Sequence, residues 1–338
     1  MSGSIILGIE SSCDDTSAAI ISGNKILSNV AANQEIHNEY GGVVPELASR
    51  AHQQNIIPVV EKAFSKSNIQ QNDICAIGFT RGPGLLGSLL VGTSFAKSLA
   101  MSLDVPLIEV NHLQAHILAH FIDDANPKSP TFPFLCLTVS GGHTMIVLVK
   151  DYFEMEIIGK TIDDAAGEAF DKIGKIFDLD YPAGPIIDKL AKEGNPDAFQ
   201  FNKPRMENYD YSFSGIKTSV LYFIQKEVRK NPDFIKENLN DLCASVQKSI
   251  IEILMNKLEK ASVDLNIKDV AIAGGVSANS ALRKAMELNQ EKLGWNIFIP
   301  KFEYTTDNAA MIAMVAKLKY ERGEFTDIRT TATAKYDL

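Results

Sequence analysis

Two segments far apart in the chain follow one plan, and that plan narrows the possible folds more than any other feature. Residues 5–10 and 17–22 are β-prone runs around the polar turn Ser11-Ser12-Cys13-Asp14-Asp15-Thr16. Residues 134–139 and 144–150 repeat the arrangement around Ser140-Gly141-Gly142-His143. Turn residues clustered between such runs read as hairpins. A hairpin opening each half of a chain points to two related lobes.

Helical periodicity runs through 46–64, with Pro58 as a kink point, and through 85–103, 162–177, 239–262, 278–290 and 307–323. Residues 74–80, 105–110 and 270–273 read as short strands. Helices alternating with strands give an α/β class. The expected division is an N-terminal lobe over 1–110, completed by a C-terminal helix at about 310–338, and a C-terminal lobe over 111–309. No low-complexity linker separates them, so two crossings and a hinge are expected.

At 338 residues, 45% of them hydrophobic and 22% charged, the chain suits about two globular domains. Its start lacks the basic region and apolar stretch of a secretion signal. Residues 84–103 are interrupted by Ser88, Thr93, Ser94, Lys97 and Ser98, which favours a buried helix over a membrane span. A cytoplasmic protein with no membrane partner is expected. Cys13, Cys75, Cys136 and Cys243 have no metal-knuckle spacing and read as buried apolar residues rather than disulfides, with Cys13 set apart by its polar turn. A net charge of -9 repels polyanions, so an RNA substrate would need local basic patches or partner proteins. Lys203, Arg205 and Lys217 are candidates for such contacts, or a solvated basic face.

The sharpest metal signal is His112-Leu113-Gln114-Ala115-His116, because residues four apart share a helix face and both imidazoles can reach one ion. Two histidines in a helix with no ligand role fit the same spacing, and His120, one turn on, is either a third ligand or a solvated neighbour. A zinc protease would need glutamate where Leu113 stands. Asp307, at a predicted helix N-terminus, is either a carboxylate ligand or a helix cap.

Ser140-Gly141-Gly142-His143 lets main chain approach an oxyanion, or is simply a hairpin turn. Gly274-Gly275-Val276-Ser277-Ala278-Asn279 sits at a strand-to-helix junction suited to phosphate or adenosine, with Asn279 as ligand or cap. Asp163, Asp164, Glu168 and Asp171 form an acidic helix face, solvated or turned to ribose hydroxyls.

In order along the chain come Gly8-Ile9-Glu10-Ser11-Ser12-Cys13-Asp14-Asp15-Thr16, Gly41-Gly42-Val43-Val44-Pro45-Glu46-Leu47-Ala48-Ser49-Arg50 and Gly82-Pro83-Gly84-Leu85. Asn111-His112 through His116, 139–143, 162–172, Ser212-Phe213-Ser214-Gly215-Ile216-Lys217-Thr218, 274–279 and Thr306-Asp307-Asn308 follow. Together these resemble the TsaD family over essentially the whole chain. The resemblance implies a two-lobed fold shared with actin, heat-shock chaperone ATPases and sugar kinases (ASKHA), with the ligand cleft between lobes. It implies transfer of threonylcarbamoyl from threonylcarbamoyl-AMP to N6 of the adenosine just 3′ of the anticodon, in tRNAs reading codons that begin with A, with AMP released. Metal ligands then fall on His112, His116 and Asp307, and substrate contacts on Thr138, Val139, Ser140, Gly141, Gly142, Asp171, Gly184, Asp188 and Asn279. Iron is the expected divalent ion, with zinc or magnesium as alternatives, since two imidazoles and a carboxylate suit several. The wording of 41–50 and 162–172 is similar to bacterial members, which implies TsaB and TsaE as partners and TsaC as the source of the adenylate. Many relatives have glutamate where Asp15 stands.

An acyl-phosphate anhydride carries its own leaving group, so the protein must hold it, neutralise its charge and exclude water. The adenine amine must lose a proton as it attacks. Asp14, in the first hairpin turn, is the candidate base, with a structural turn role as the alternative. The competing reading is an ATP-dependent small-molecule phosphotransferase of the same fold, which would not require the histidine pair. Weaker competitors are a metalloprotease and a chaperone-like nucleotide-binding module.

Overall fold

The computed structural model describes residues 3–32, 34, 37, 40–126, 128–204 and 206–338. The chain forms two compact units, Met1–Ser129 with Pro300–Leu338, and Pro130–Ile299. The division therefore falls later than the expected 110/111 and earlier than 309/310. His112–Leu118 (α3) follows the last strand of the first sheet and packs on Ala309–Glu321 (α9), which keeps both with the first unit.

The first sheet is built from Ile5–Glu10 (β1), Thr16–Ser22 (β2), Lys25–Ala32 (β3), Ala76–Gly82 (β4) and Leu107–Asn111 (β5), in the order β3-β2-β1-β4-β5. The hairpin pairs β1–β2 and β2–β3 are antiparallel, and β1–β4 and β4–β5 are parallel. The second sheet uses Phe134–Val139 (β6), Thr144–Asp151 (β7), Glu154–Lys160 (β8), Asp269–Ala273 (β9) and Asn296–Phe298 (β10). Its order, β10-β9-β6-β7-β8, is the same topology read from the other edge. The two hairpins read in the sequence thus each open one sheet, and each gains a third strand that the sequence reading missed, β3 and β8.

Parallel neighbours require crossover helices. In the first unit these are Pro45–Ser67 (α1) and Leu86–Leu103 (α2). Pro45 opens α1, where its missing N–H costs nothing, and the helix runs on through Pro58. In length and composition α2 could cross a membrane. It is not the buried helix expected. Its small side chains, Ser88, Gly92, Thr93, Ala96 and Ala100, are buried with Leu89, while Leu86, Leu90 and Met101 are exposed.

The second unit carries Ala166–Ile176 (α4), Ala183–Ala191 (α5), Ser214–Val228 (α6), Phe234–Leu265 (α7) and Ser280–Leu293 (α8). The helix expected over 162–177 begins only at Ala166, and the one expected over 278–290 begins at Ser280. Residues 162–164 lie outside the helix because Asp163 turns away to accept hydrogen bonds from Phe213 N and the Ser212 hydroxyl.

The helix α9 is buried from Ala309 to Leu318 and lies on β1, β2 and β4. Two glycines make this possible. A Cβ at Gly8 would sit 2.6 Å from Ala309 O and from Ala313 N, and one at Gly78 would sit 2.3 Å from Ala316 Cβ. Such overlaps force backbone shifts in a close-packed interior. Gly8→Ala should therefore lower stability by about 1–3 kcal/mol, read as a drop in the urea midpoint, although alanine suits an ordinary strand at least as well as glycine.

Candidate functional site

Two helix starts carry the histidine–aspartate cluster. Asn111, at the end of β5, caps α3: its Oδ1 accepts from Leu113 N at 2.9 Å and Gln114 N at 3.2 Å. This cap sets His112 and His116 one turn apart on one face. Asn308 caps α9, its Oδ1 accepting from Met311 N at 3.2 Å, so the adjacent Asp307 is not the cap and its carboxylate is available. Asp307 Oδ1 lies 3.1 Å from His116 Nε2 and 3.3 Å from His112 Nε2. The two rings meet edge to face, with centroids 4.7 Å apart.

One ligand atom from each of His112, His116 and Asp307 falls within 4.8 Å of the others, so the three can share an ion. Two further observations fit a cation. His116 Nδ1 is buried without a hydrogen-bond partner. Negative charge is also crowded here: burial and the carboxylates of Asp14, Asp307 and Glu10 push Asp15 up to about 7. His120 is neither ligand nor solvated; it is buried, its Nδ1 2.9 Å from Asn126 Nδ2.

Glu10 is the functional residue that sequence reasoning missed. It is fully buried at the end of β1, with Oε2 3.1 Å from His112 Nδ1. It also accepts from the Thr80 hydroxyl at 2.6 Å and from Ser12 N at 2.5 Å. Burial alone would raise its pKa, but His112 outweighs that and holds it below the usual carboxylate value. Conversely, burial lowers His112, while Asp307 and Glu10 hold it well above an ordinary imidazole. A carboxylate on the far nitrogen of a ligating histidine fixes its tautomer and orientation. The available signal was a lone acid closing an otherwise apolar strand.

Asp14 lies in the β1–β2 turn of the same unit. That turn is clamped by His52 of α1, fully buried, whose Nε2 donates to Cys13 O at 3.0 Å. A carbonyl only accepts, so His52 Nδ1 accepts from the Thr16 hydroxyl at 2.7 Å. Burial holds His52 below its ordinary pKa, which keeps it neutral. Cys13 is no activated thiol, since burial and Asp14 push it up.

The nine residues expected to touch substrate all lie in the second unit. Strands β6 and β9 run parallel, with Thr138 beside Ala273, so the turns at 140–142 and 274–279 leave from neighbouring strand ends. Gly141 and Gly142 are exposed, have no left-handed backbone, and a Cβ on either would meet nothing within 4 Å. Asp171 Oδ1 accepts from Ala183 N at 2.8 Å, at the start of the helix that holds Gly184. Asp188 Oδ1 accepts from the Ser280 hydroxyl at 2.7 Å and from Ser280 N at 3.2 Å. Asn279 caps α8 through Ala281 N and Leu282 N, both at 3.0 Å, and donates to Gln247 Oε1 at 2.7 Å. Of the basic candidates, Lys203 pairs with Glu252, Lys217 is half-buried on α6, and Arg205 lies outside the described residues.

The family model for TsaD, described as tRNA N6-adenosine threonylcarbamoyltransferase, matches residues 25–314. The chain belongs to the TsaD family. A tRNA N6-adenosine threonylcarbamoyltransferase of Riemerella anatipestifer is 83% identical over 338 residues, covering 100% of this chain and 99% of that one. One from Porphyromonas gingivalis is 60% identical, covering 96% of each. Among solved structures, a phosphate- and nucleotide-bound HypF superposes with a TM-score of 0.59 at 12% identity, covering 96% of this chain and 47% of that one. A ROK hexokinase from Thermus thermophilus gives 0.52 at 13%, covering 94% and 100%. These likenesses show the α/β, actin- and sugar-kinase-like fold, and the fold alone.

One substitution tests the site, and a second tests the turn before α4. Glu10→Gln should weaken zinc binding by about 10–100-fold in a chelator competition; unchanged affinity would remove Glu10 from the metal centre. Asp163 is raised by burial but held below its ordinary value by Ser212, Phe213 and Ser214. Its stabilisation is therefore present above the unfolded carboxylate value, about 4, and lost as pH falls through the lower folded one. Asp163→Ala should cost about 1 kcal/mol at neutral pH and flatten the acid limb of the stability profile.

Proposed function

We propose that the chain transfers the threonylcarbamoyl group of threonylcarbamoyl-AMP to N6 of the adenosine just 3′ of the anticodon, in tRNAs that read codons beginning with A. The observation that carries this is full-length likeness to named threonylcarbamoyltransferases together with the clustering of His112, His116 and Asp307. The phosphotransferase alternative rests on fold likeness at 13% identity and has no other support.

In this reading His112, His116 and Asp307 hold one divalent ion. Two imidazoles and one carboxylate would suit iron(II), with zinc or magnesium as alternatives. When bound, the ion supplies positive charge for the adenylate phosphate. Gly141 and Gly142 are demanded neither by packing nor by backbone conformation, so their bareness is read as room for substrate, with Thr138, Val139 and Ser140 beside them. Asp171, Gly184, Asp188 and Asn279 complete the substrate set. The protein hydrogen bonds of Asp171, Asp188 and Asn279 to helix starts hold them in place for that contact.

The amine N6 attacks the carbamoyl carbonyl carbon, a C–N bond forms, the bond from that carbon to the phosphate oxygen breaks, and AMP departs. The proton lost from N6 passes to the Asp14 carboxylate, which His52 steadies through Cys13 and Thr16. The proposed partners are tRNA, TsaB and TsaE, with TsaC making the adenylate, and the setting is the cytoplasm. With a net charge of -9, local basic patches or these partners must bring the RNA. The exposed Leu86, Leu90 and Met101 of α2 offer an apolar face to one of them.

The test is to incubate the chain with TsaB, TsaE, threonylcarbamoyl-AMP and unmodified tRNA, and to assay N6-threonylcarbamoyladenosine by nucleoside mass spectrometry. His112→Ala should abolish product. Asp14→Asn should reduce turnover by at least about 100-fold while adenylate still binds. Full activity of Asp14→Asn would return Asp14 to a structural turn role.

A further inference from the structure

Beyond α9 the chain has no helix or strand, yet it is stitched to the ends of β4 and β5. Thr326 N donates to Leu107 O at 2.8 Å, and its hydroxyl accepts from Glu109 N at 2.7 Å. Further along, Arg81 Nε donates to Thr331 O at 3.2 Å and Thr333 N donates to Arg81 O at 2.9 Å. The Arg81 guanidinium lies 4.8 Å over the Tyr336 ring, whose hydroxyl donates to Glu109 Oε1 at 2.9 Å.

The segment ends its contacts at Asn111. The Nδ2 of Asn111 donates to Asp337 O at 2.8 Å and Tyr336 O at 3.3 Å, while its Oδ1 caps the helix that bears His112 and His116. One buried carboxamide is therefore committed at both ends, two hydrogen bonds to the ligand helix and two to the tail. A second link runs through the β4–α2 turn. Gly84 N donates to Ala334 O at 3.2 Å, and the next residue, Leu85, donates its N–H to Ser12 O at 2.7 Å. The Ser12 hydroxyl lies 3.2 Å from His112 Nδ1.

Both links converge on the position of His112. A side-chain amide is planar, so the tail carbonyls that engage Nδ2 also fix where Oδ1 points, and Oδ1 sets the first turn of α3. We infer that residues 333–337 are a positioning strap for the metal centre: they hold Asn111, and through it the two imidazoles, in the arrangement that binds the ion. This rests on the metal reading given above.

The test measures metal binding, not turnover, in four proteins: the unaltered chain, a chain lacking Tyr336–Leu338, Asn111→Ser, and the double variant that combines the two changes. Serine still caps α3 but has no amide to give the tail. Co²⁺ binding is followed by its visible absorption and Zn²⁺ affinity by competition, with the melting temperature of each metal-free protein as the control for folding. Both altered chains should bind about ten-fold more weakly, with a changed Co²⁺ spectrum. The double variant should be no weaker than either alone, because both changes cut one link. Unchanged affinity and spectrum in both variants, or effects that simply add, would overturn the strap while leaving the metal centre intact. Failure of the unaltered chain to bind Co²⁺ or Zn²⁺ would overturn the metal reading and the strap with it.

Discussion

The seating of α9 on bare sheet backbone is the constraint on which the histidine–aspartate cluster depends. Its three side chains come from positions 112, 116 and 307, and only the return of the chain to the first sheet brings the third to the other two. The height of that helix is set by contact at Gly8 and Gly78, where the sheet has no side chain and the helix presents its backbone and alanine methyls. A helix packed at backbone distance has little freedom to slide, because interiors are close-packed and small displacements meet atoms at once. Asp307 stands just before its first turn, so the same contact that builds the core also sets the distance from carboxylate to imidazole.

Charge adds a second constraint. Buried carboxylates persist only when paired and hydrogen-bonded. Glu10 meets that condition through His112, Thr80 and Ser12, three partners drawn from α3, β4 and its own turn. Asp15 has no such set and is driven toward its neutral form. The end of β1 and the turn after it thus carry acids in opposite electrostatic conditions, which is how a small site keeps one carboxylate fixed beside His112 without gathering unlimited negative charge.

Much of this was legible in the sequence. The hairpins at the start of each sheet, the crossover helices and the histidine pair follow from periodicity and spacing, which are local properties. The third strands β3 and β8 were not legible. Lys25–Ala32 is an edge strand whose apolar residues, Ile26-Leu27 and Val30-Ala31-Ala32, come in runs, and Glu154–Lys160 exposes most of its length, so neither shows the alternation of a half-buried strand. The helix assigned from residue 162 failed because Asp163 serves as a hydrogen-bond acceptor for residues some fifty positions later, a partner no local window contains. The roles of Glu10 and His52 were hidden for the same reason, since they come from contacts to His112 and Cys13 across the fold, although Glu10 showed as a lone acid closing an apolar strand. At Asp307 the neighbour Asn308 takes the cap, which a local window could not show and which leaves the Asp307 carboxylate free of that role.

The return of α9 also dictates an order of assembly. The second unit is continuous in sequence, whereas the first is completed by residues that follow it. A ribosome delivers the chain from its N-terminus, so the first sheet emerges with the face around Gly8 and Gly78 still uncovered, and the whole of the second unit must be synthesised before the covering helix arrives. Closing that sheet is a non-local event with a large loop-closure cost. Nascent chains of this protein therefore carry an apolar face waiting for its cover from the first sheet until α9 is made, and the cluster of His112, His116 and Asp307 cannot form before the second unit has been synthesised.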